Sequence, residues 1–395
     1  MKKLPTWVEV DLDRLAGNLS ALRGWLGDGV RILLTVKADA YGHGAVQVAQ
    51  AASRNGAERV DMFGVATLDE ATELKESGIS TPILILSPVL ERELPAVISS
   101  GFAITVSSFD MAESVSRQAA AAGRVVDVHV EVDTGMGRTG VGQEQARTEI
   151  IRIAALKGLR LQGVYTHFPV SDTDPDFTRT QIDALERIVA ELRAAGVEIP
   201  MVHSANSAAV AGVKESHMDL VRPGLLAYGL HPNGARVPVE IEPVLSWKSR
   251  LVQVRDVPAG KTISYGRDFT TTRDSVIGVV PVGYGHGYPF AASGRGRMIV
   301  AGARVPIVGR VTMDMTMVDL TDLPRRPAPG DEVVLVGESD GASISFHDVA
   351  AWSGSICYEI MCGISKRVPR TYFRRGRVET YKSLLGVLPT HIISV

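Results

Sequence analysis

The sequence predicts a parallel (β/α)8 barrel of the TIM type followed by a mostly β-strand domain. Three observations carry this. The first 230 residues of the 395 alternate short β-branched runs with amphipathic, Ala-rich segments. Eight such repeats in about 200 residues match a closed barrel in count and length. From near Pro232 the strands instead follow one another across Gly, Pro and Asp turns, the habit of an all-β domain. A doubly wound sheet is set aside because no G-x-G-x-x-G opens a helix after any strand.

In chain order the barrel strands are expected at residues 31–36, 62–65, 82–86, 103–106, 125–132, 159–166, 200–203 and 220–221. Intervening stretches such as 108–122 and 177–195 read as helices, each ending a residue or two before a glycine. Residues 1–240 are assigned to the barrel and 241–395 to the β domain. In that second part LSWKSRLVQV, SVIGVVPV, RMIVAGARVPIVGRV, MTMVDL and DEVVLVG read as strands, and only 345–353 as a helix.

The composition narrows the function. With 42 Lys and Arg against 44 Asp and Glu there is no basic excess to neutralise phosphates, so no nucleic-acid partner is expected. A chain 45% hydrophobic and 22% charged is neither disordered nor collagen-like. Its two cysteines, Cys357 and Cys362, form no disulfide framework or zinc spacing and fit reduced thiols in a reducing compartment. Glu9, Asp11 and Asp13 interrupt any apolar signal segment, and TPILILSPVL is half the length a membrane span needs. A cytoplasmic protein without membrane partner is expected. No metal is expected either, since none of the nine His forms an H-E-x-x-H.

Barrel chemistry sits where the strands end. Lys37 and Tyr41 follow the first strand, in TVKADAYGHG, and Arg138 lies in the Gly-rich EVDTGMGRTG after the fifth. His167 follows the sixth, His203, Asn206 and Ser207 the seventh, and Arg222 and Gly224 the eighth. Ser207 before a helical segment and the Gly224-Leu225 backbone offer an anion cup. A lysine at the first strand facing such a cup suggests pyridoxal 5'-phosphate held as a Schiff base. Two other patterns are decoys. Gly337-Glu338-Ser339-Asp340-Gly341 imitates a nucleophile elbow without a following helix, and the glycines of VGYGHGY, with no helix after them, read either as tight backbone packing or as a special loop.

VKADAYGHG resembles the cofactor-lysine signature of alanine racemases, the fold-type III pyridoxal phosphate enzymes. The likeness continues through DTGMGRTG, GVYTHF, HSANSAA, RPGLLAYGL, SYGRDF, VPVGYGHGY, GRVTMDM and CYEIMCGISKRVPR, which span both predicted domains. The resemblance implies that Lys37 carries the cofactor and is the base for the D-face proton. Tyr265 would be the opposite-face base, reaching across from the partner subunit of a homodimer with shared sites. It further implies Arg222 at the pyridine nitrogen and His167 behind the ring. Tyr41, Ser207, Gly224, Leu225 and Tyr358 would hold the phosphate, with Asn206 beside them. Arg138 and Met313 would contact the substrate carboxylate, Met313 again from the partner. The implied reaction is interconversion of L- and D-alanine, supplying D-alanine for the cell wall. Its competitors are racemisation of another amino acid, such as serine, or a non-catalytic cofactor-homeostasis protein.

Four positions depart from the family pattern: Glu131, His286, Phe290 and Thr312. Where Glu131 stands, relatives commonly have a lysine resembling a carbamate carrier that orients the substrate-binding arginine. Glu131, already a carboxylate, is expected to take that part through a bidentate pair with Arg138.

Overall fold

The computed structural model describes residues 4–54, 56–232 and 237–388. It divides into two compact units: Arg14–Ala40 with Ala45–Glu242, and Met1–Asp13 with Tyr41–Gly44 and Pro243–Val395. The first strand, β1 (Thr6–Asp11), belongs to the second of these.

The first unit is the closed parallel barrel. Its strands are β2 (Arg31–Thr35), β3 (Met62–Val65), β4 (Ile83–Ile85), β5 (Ala103–Val106), β6 (Val126–Asp133), β7 (Leu159–Tyr165), β8 (Met201–His203) and β9 (Leu220–Val221). They run β5-β4-β3-β2-β9-β8-β7-β6, and β5 pairs with β6 to close the circle. Most are short apolar runs buried throughout, as strands covered on both faces must be.

β6 is different. Its sequence VDVHVEVD alternates, so four valines share one face while Asp127, His129, Glu131 and Asp133 share the other. His129 and Glu131 are nonetheless buried, so the polar face of this strand supplies interior side chains. Inside the barrel, Leu33, Met62, Leu84, Ala103, Met201 and Leu220 form one apolar cluster. Polar side chains pack elsewhere in the interior: the Tyr165 hydroxyl lies 2.9 Å from Thr105 Oγ1, and the Tyr165 ring stacks on His203 at 4.6 Å.

The helices begin where local chemistry allows. Ser108 accepts from the Met111 N–H ahead of helix Phe109–Ala121, and Asp174 accepts from the Phe177 N–H ahead of Pro175–Ala194. Pro175 costs nothing in that first turn because its missing N–H would have had no helical partner.

In the second unit the main sheet contains β1, β10 (Leu245–Arg250), β13 (Arg297–Val300), β14 (Ala303–Pro306), β16 (Glu332–Ser339), β17 (Arg370–Arg374) and β18 (Arg377–Ser383). A smaller sheet joins β11 (Gln253–Val257), β12 (Ser275–Val280) and β15 (Thr316–Asp319). β1 was absent from the strands expected from sequence; it lies between β10, antiparallel, and β17, parallel. Its Trp7 is buried, as is Trp247 of β10. A second helix, Cys357–Gly363, accompanies the expected one at Phe346–Ser353. Ser339 ends β16 and the chain turns at Gly341 into another strand, so no nucleophile elbow forms.

Candidate active site

Lys37 follows β2 after one residue, Val36. The next four residues, Ala38, Asp39, Ala40 and Tyr41, all have φ of 53–54°, a left-handed turn without glycine. The contacts that hold it include the Ala38 N–H donating to Glu70 Oε1 at 2.7 Å, the Ala40 N–H donating to the Val36 carbonyl at 2.8 Å, and Asp39 Oδ1 accepting from the Ala45 N–H at 2.9 Å.

Beyond β9 lies Arg222, 5% exposed. Its Nη2 donates to the carbonyls of Thr166 and Ser204, both at 2.9 Å, and approaches His167 Nδ1 at 3.3 Å. Its Nη1 lies 2.7 Å from His203 Nδ1. A guanidinium has no acceptor, so both imidazole Nδ1 atoms must accept. Burial holds the His167 and His203 pKa values well below the ordinary range, and the Arg222 charge pushes the same way. The charges of Arg138 and Lys37 also push the His167 value down, so burial and three cations together favour the neutral imidazole. Arg222 itself is lowered to about 10 by burial and stays cationic at neutral pH.

Across the strand ends, the Gly224 and Leu226 N–H groups donate to Ser207 Oγ at 2.9 and 3.4 Å, leaving the hydroxyl proton to donate outward. Asn206 caps helix Ser207–Gly212: its Oδ1 accepts from the Ala209 N–H and from Ser171 Oγ. Leu225 is fully buried beside this cup.

Asp133 accepts from the N–H groups of Gly135, Met136 and Gly137 and so shapes the loop that carries Arg138. Glu131, 2% exposed, accepts from the Thr139 hydroxyl at 2.6 Å. Arg138 Nη2 stands 3.8 Å from Glu131 Oε1, a single long ion pair rather than the expected bidentate one, while Thr139 bonds the second oxygen. Burial raises the Glu131 pKa, against that hydrogen bond and the charges of Arg138 and Arg222.

The other singled-out residues lie in the second unit. The rings of Tyr41 and Tyr358 meet at 5.9 Å, and burial raises the Tyr41 pKa, reinforced by Tyr358. Tyr265 and Met313 are 72% and 53% exposed. Tyr265 follows Ser264, whose hydroxyl donates to the Arg310 carbonyl at 2.7 Å. The Met313 loop is clasped by the glycines of VGYGHGY: the Tyr284 N–H donates to Thr312 O and the Gly285 N–H to Met313 O. A Cβ on Gly283 would stand 1.9 Å from that same Thr312 O. Tight backbone packing therefore accounts for Gly283. Thr312 Oγ1 bonds the Met315 carbonyl at 2.8 Å and shapes the turn. His286 is buried and accepts from the Gly283 N–H, while Phe290 is exposed and meets Tyr284 edge-on.

Sequence reasoning missed three supporting residues: His129, Thr139 and Tyr165. The alternation of β6 was the available signal for His129, since a barrel strand that alternates charge with valine must turn its polar face inward. Among the described residues no cluster of His, Cys, Asp or Glu suits a metal ion, and no helix is long and apolar enough to cross a membrane.

Comparison with known proteins follows the same division. The family described as "Alanine racemase, N-terminal domain" matches residues 10–232, and "Alanine racemase, C-terminal domain" matches 244–372. The alanine racemase of Halothermothrix orenii is 41% identical over 370 residues, covering 93% of this chain and 97% of that protein. The solved alanine racemase of Clostridium difficile 630 superposes with a TM-score of 0.91 at 34% identity, over 97% of this chain and 99% of that one. A third, from Bartonella henselae, described with covalently bound pyridoxal phosphate, has a TM-score of 0.85 at 26% identity, over 94% of this chain and all of that one.

Proposed function

This chain belongs to the alanine racemase family, and from that premise we propose that it interconverts L- and D-alanine with pyridoxal 5'-phosphate, supplying D-alanine for peptidoglycan. The observation that carries the reading is the charge at the barrel's strand ends: Lys37, Arg138 and Arg222 act on His167, and Glu131 is the buried carboxylate paired with Arg138. That excess of positive charge suits an anionic cofactor and a carboxylate substrate, and the Ser207 hydroxyl adds a donor beside the Gly224-Leu225 backbone. When bound, the cofactor withdraws electrons from the substrate's Cα–H bond.

The chain's own residues would do the rest. Lys37 Nζ would hold the cofactor and move a proton on one face of Cα, and the partner subunit's Tyr265 on the other. Arg222 would donate to the pyridine nitrogen without surrendering a proton. His167 would stack behind the ring. Ser207, Gly224, Leu225, Tyr41 and Tyr358 would bind the phosphate, while Asn206 fixes the Ser207 helix. Arg138, with the partner subunit's Met313, would orient the substrate carboxylate.

In this reading residues 1–240 bind the cofactor, residues 241–395 complete the site of the partner in a homodimer, and the enzyme works in the cytoplasm. The test is racemisation across a panel of amino acids, with borohydride reduction and peptide mapping of the purified enzyme. Fastest turnover of alanine and a pyridoxyl label on Lys37 are expected. Preference for serine, or a label elsewhere, would refute the assignment.

A further inference from the structure

A hydrogen-bonded chain runs from Arg222 into the barrel. Arg222 Nη1 lies 2.7 Å from His203 Nδ1, and His203 Nε2 lies 2.9 Å from His129 Nδ1. All three side chains are buried. The direction of this chain follows from chemistry alone. Arginine only donates, so His203 Nδ1 carries a lone pair. A neutral imidazole with a lone pair on Nδ1 carries its proton on Nε2, so His203 donates to His129 Nδ1. His129 is then protonated on Nε2 by the same rule. Its Nε2 makes no hydrogen bond to protein among the described residues. Burial keeps both rings neutral, as the chain requires.

The geometry around His129 is built for this contact. Gly163 of β7 faces it, and a Cβ there would stand 2.4 Å from His129 Nδ1. The His203 ring is meanwhile fixed by stacking on Tyr165 at an interplanar angle of 8°. Beyond His129 is a cavity of about 260 Å³, which it lines with Asp127, Gln162 and Arg31.

We propose that His129 is a positioning residue: by accepting the Nε2–H of His203 it fixes the tautomer that receives Arg222, and so holds the guanidinium in place. Without that acceptor the His203 Nε2–H is a buried donor with no partner. The other tautomer would set an N–H against the Arg222 N–H. Either outcome loosens Arg222. The functional part of this inference rests on Arg222 facing the cofactor ring.

Nitrogen-15 NMR of histidine-labelled holoenzyme tests the tautomers directly. Both His129 and His203 should show a protonated Nε2 and an unprotonated Nδ1, and an Nδ1–H on either ring overturns the proposal. His129→Leu should shift the Arg222 side-chain resonances and the cofactor's visible absorbance, and lower kcat about tenfold, as expected for a weakened hydrogen bond to a charged group, with KM little changed. His129→Asn presents an amide oxygen near the place of Nδ1 and should restore all three readouts. A folded His129→Leu enzyme with wild-type Arg222 resonances and absorbance also overturns it. The tautomers and Arg222 resonances are read without turnover, so their outcome is separate from whether alanine is the substrate.

Discussion

At the barrel's strand ends Arg222 and Glu131 are all but sealed from solvent and held by hydrogen bonds, whereas in the second unit Tyr265 and Met313 stand mostly in solvent. Both regions carry side chains of the proposed reaction. The first holds its groups with its own interior and can tune them by burial. The second fixes only the backbone beneath its groups, through the Ser264 hydroxyl and the glycine clasp on the Met313 loop. Side chains presented on a rigid base but left uncovered are suited to completing another molecule's site. In a symmetric dimer that arrangement would be reciprocal.

The strongest way to break this contrast is to separate the two contributions. Lys37→Ala and Tyr265→Ala enzymes should each be inactive in racemisation assays. Mixed in equal amounts with verified subunit exchange, they should recover about one quarter of wild-type activity, because half of the dimers then hold one intact site of two. No recovery would mean that each chain supplies both groups to its own site.

A second measurement probes the rigid base. Gly283→Ala would drive a Cβ into the Thr312 carbonyl, a backbone atom that cannot swing aside. It should lower stability by about 1–3 kcal/mol and raise the substrate KM by displacing Met313. Gly17→Ala, in helix Leu12–Leu26 with open space around it, should instead raise stability by up to about 1 kcal/mol. Thermal unfolding of the two variants checks the pair.

Much of the first region was legible in the sequence. Barrel strands are buried on both faces, so their apolar runs announce themselves, and the polar residues that follow them stand out. β1 was not legible, because TWVEVD becomes a strand only by pairing with segments some 240 and 360 residues away. Helix Cys357–Gly363 escaped notice because Ile356, before it, makes no side-chain cap. The His129–His203 contact joins residues 74 apart, and no local pattern specifies a partner at that distance. The bidentate pair expected for Glu131 failed for a similar reason, since where the loop places Arg138, 3.8 Å from the carboxylate, is set only once that loop has folded.

A third measurement exploits the sealed interior. His129 has its pKa lowered to about 4, mainly by burial, against about 6.5 when unfolded. Between those values the unfolded chain binds the extra proton, so stability is full above about pH 6.5 and declines as pH falls toward 4. The decline from this residue alone is about 3 kcal/mol. Urea midpoints at pH 7.5 and 4.5 should therefore differ less in His129→Asn than in the wild type. An equal difference would mean that the imidazole does not stay neutral when buried.

The smallest effect belongs to Glu131. Glu131→Gln keeps an acceptor for Thr139 but removes the charge facing Arg138. We expect the KM for alanine to rise several-fold while kcat changes less, as for loss of a modest, half-exposed ion pair. Activity should also be independent of bicarbonate. Indifference to the substitution would show that Thr139 and the Asp133-shaped loop orient Arg138 unaided.

The left-handed turn after Lys37 bears on how this enzyme would respond to selection. Alanine in that conformation is disfavoured by about 1–2 kcal/mol per residue, and the turn contains Ala38 and Ala40 with φ of 53° and 54°. Breeding the protein for heat resistance alone would therefore reward glycine at 38 or 40, where the strain disappears. Glycine would also let the peptide carrying Lys37 wander among conformations that alanine forbids. Thermostability screens run without an activity filter should accordingly enrich such variants, and these should be sturdier enzymes that turn over more slowly.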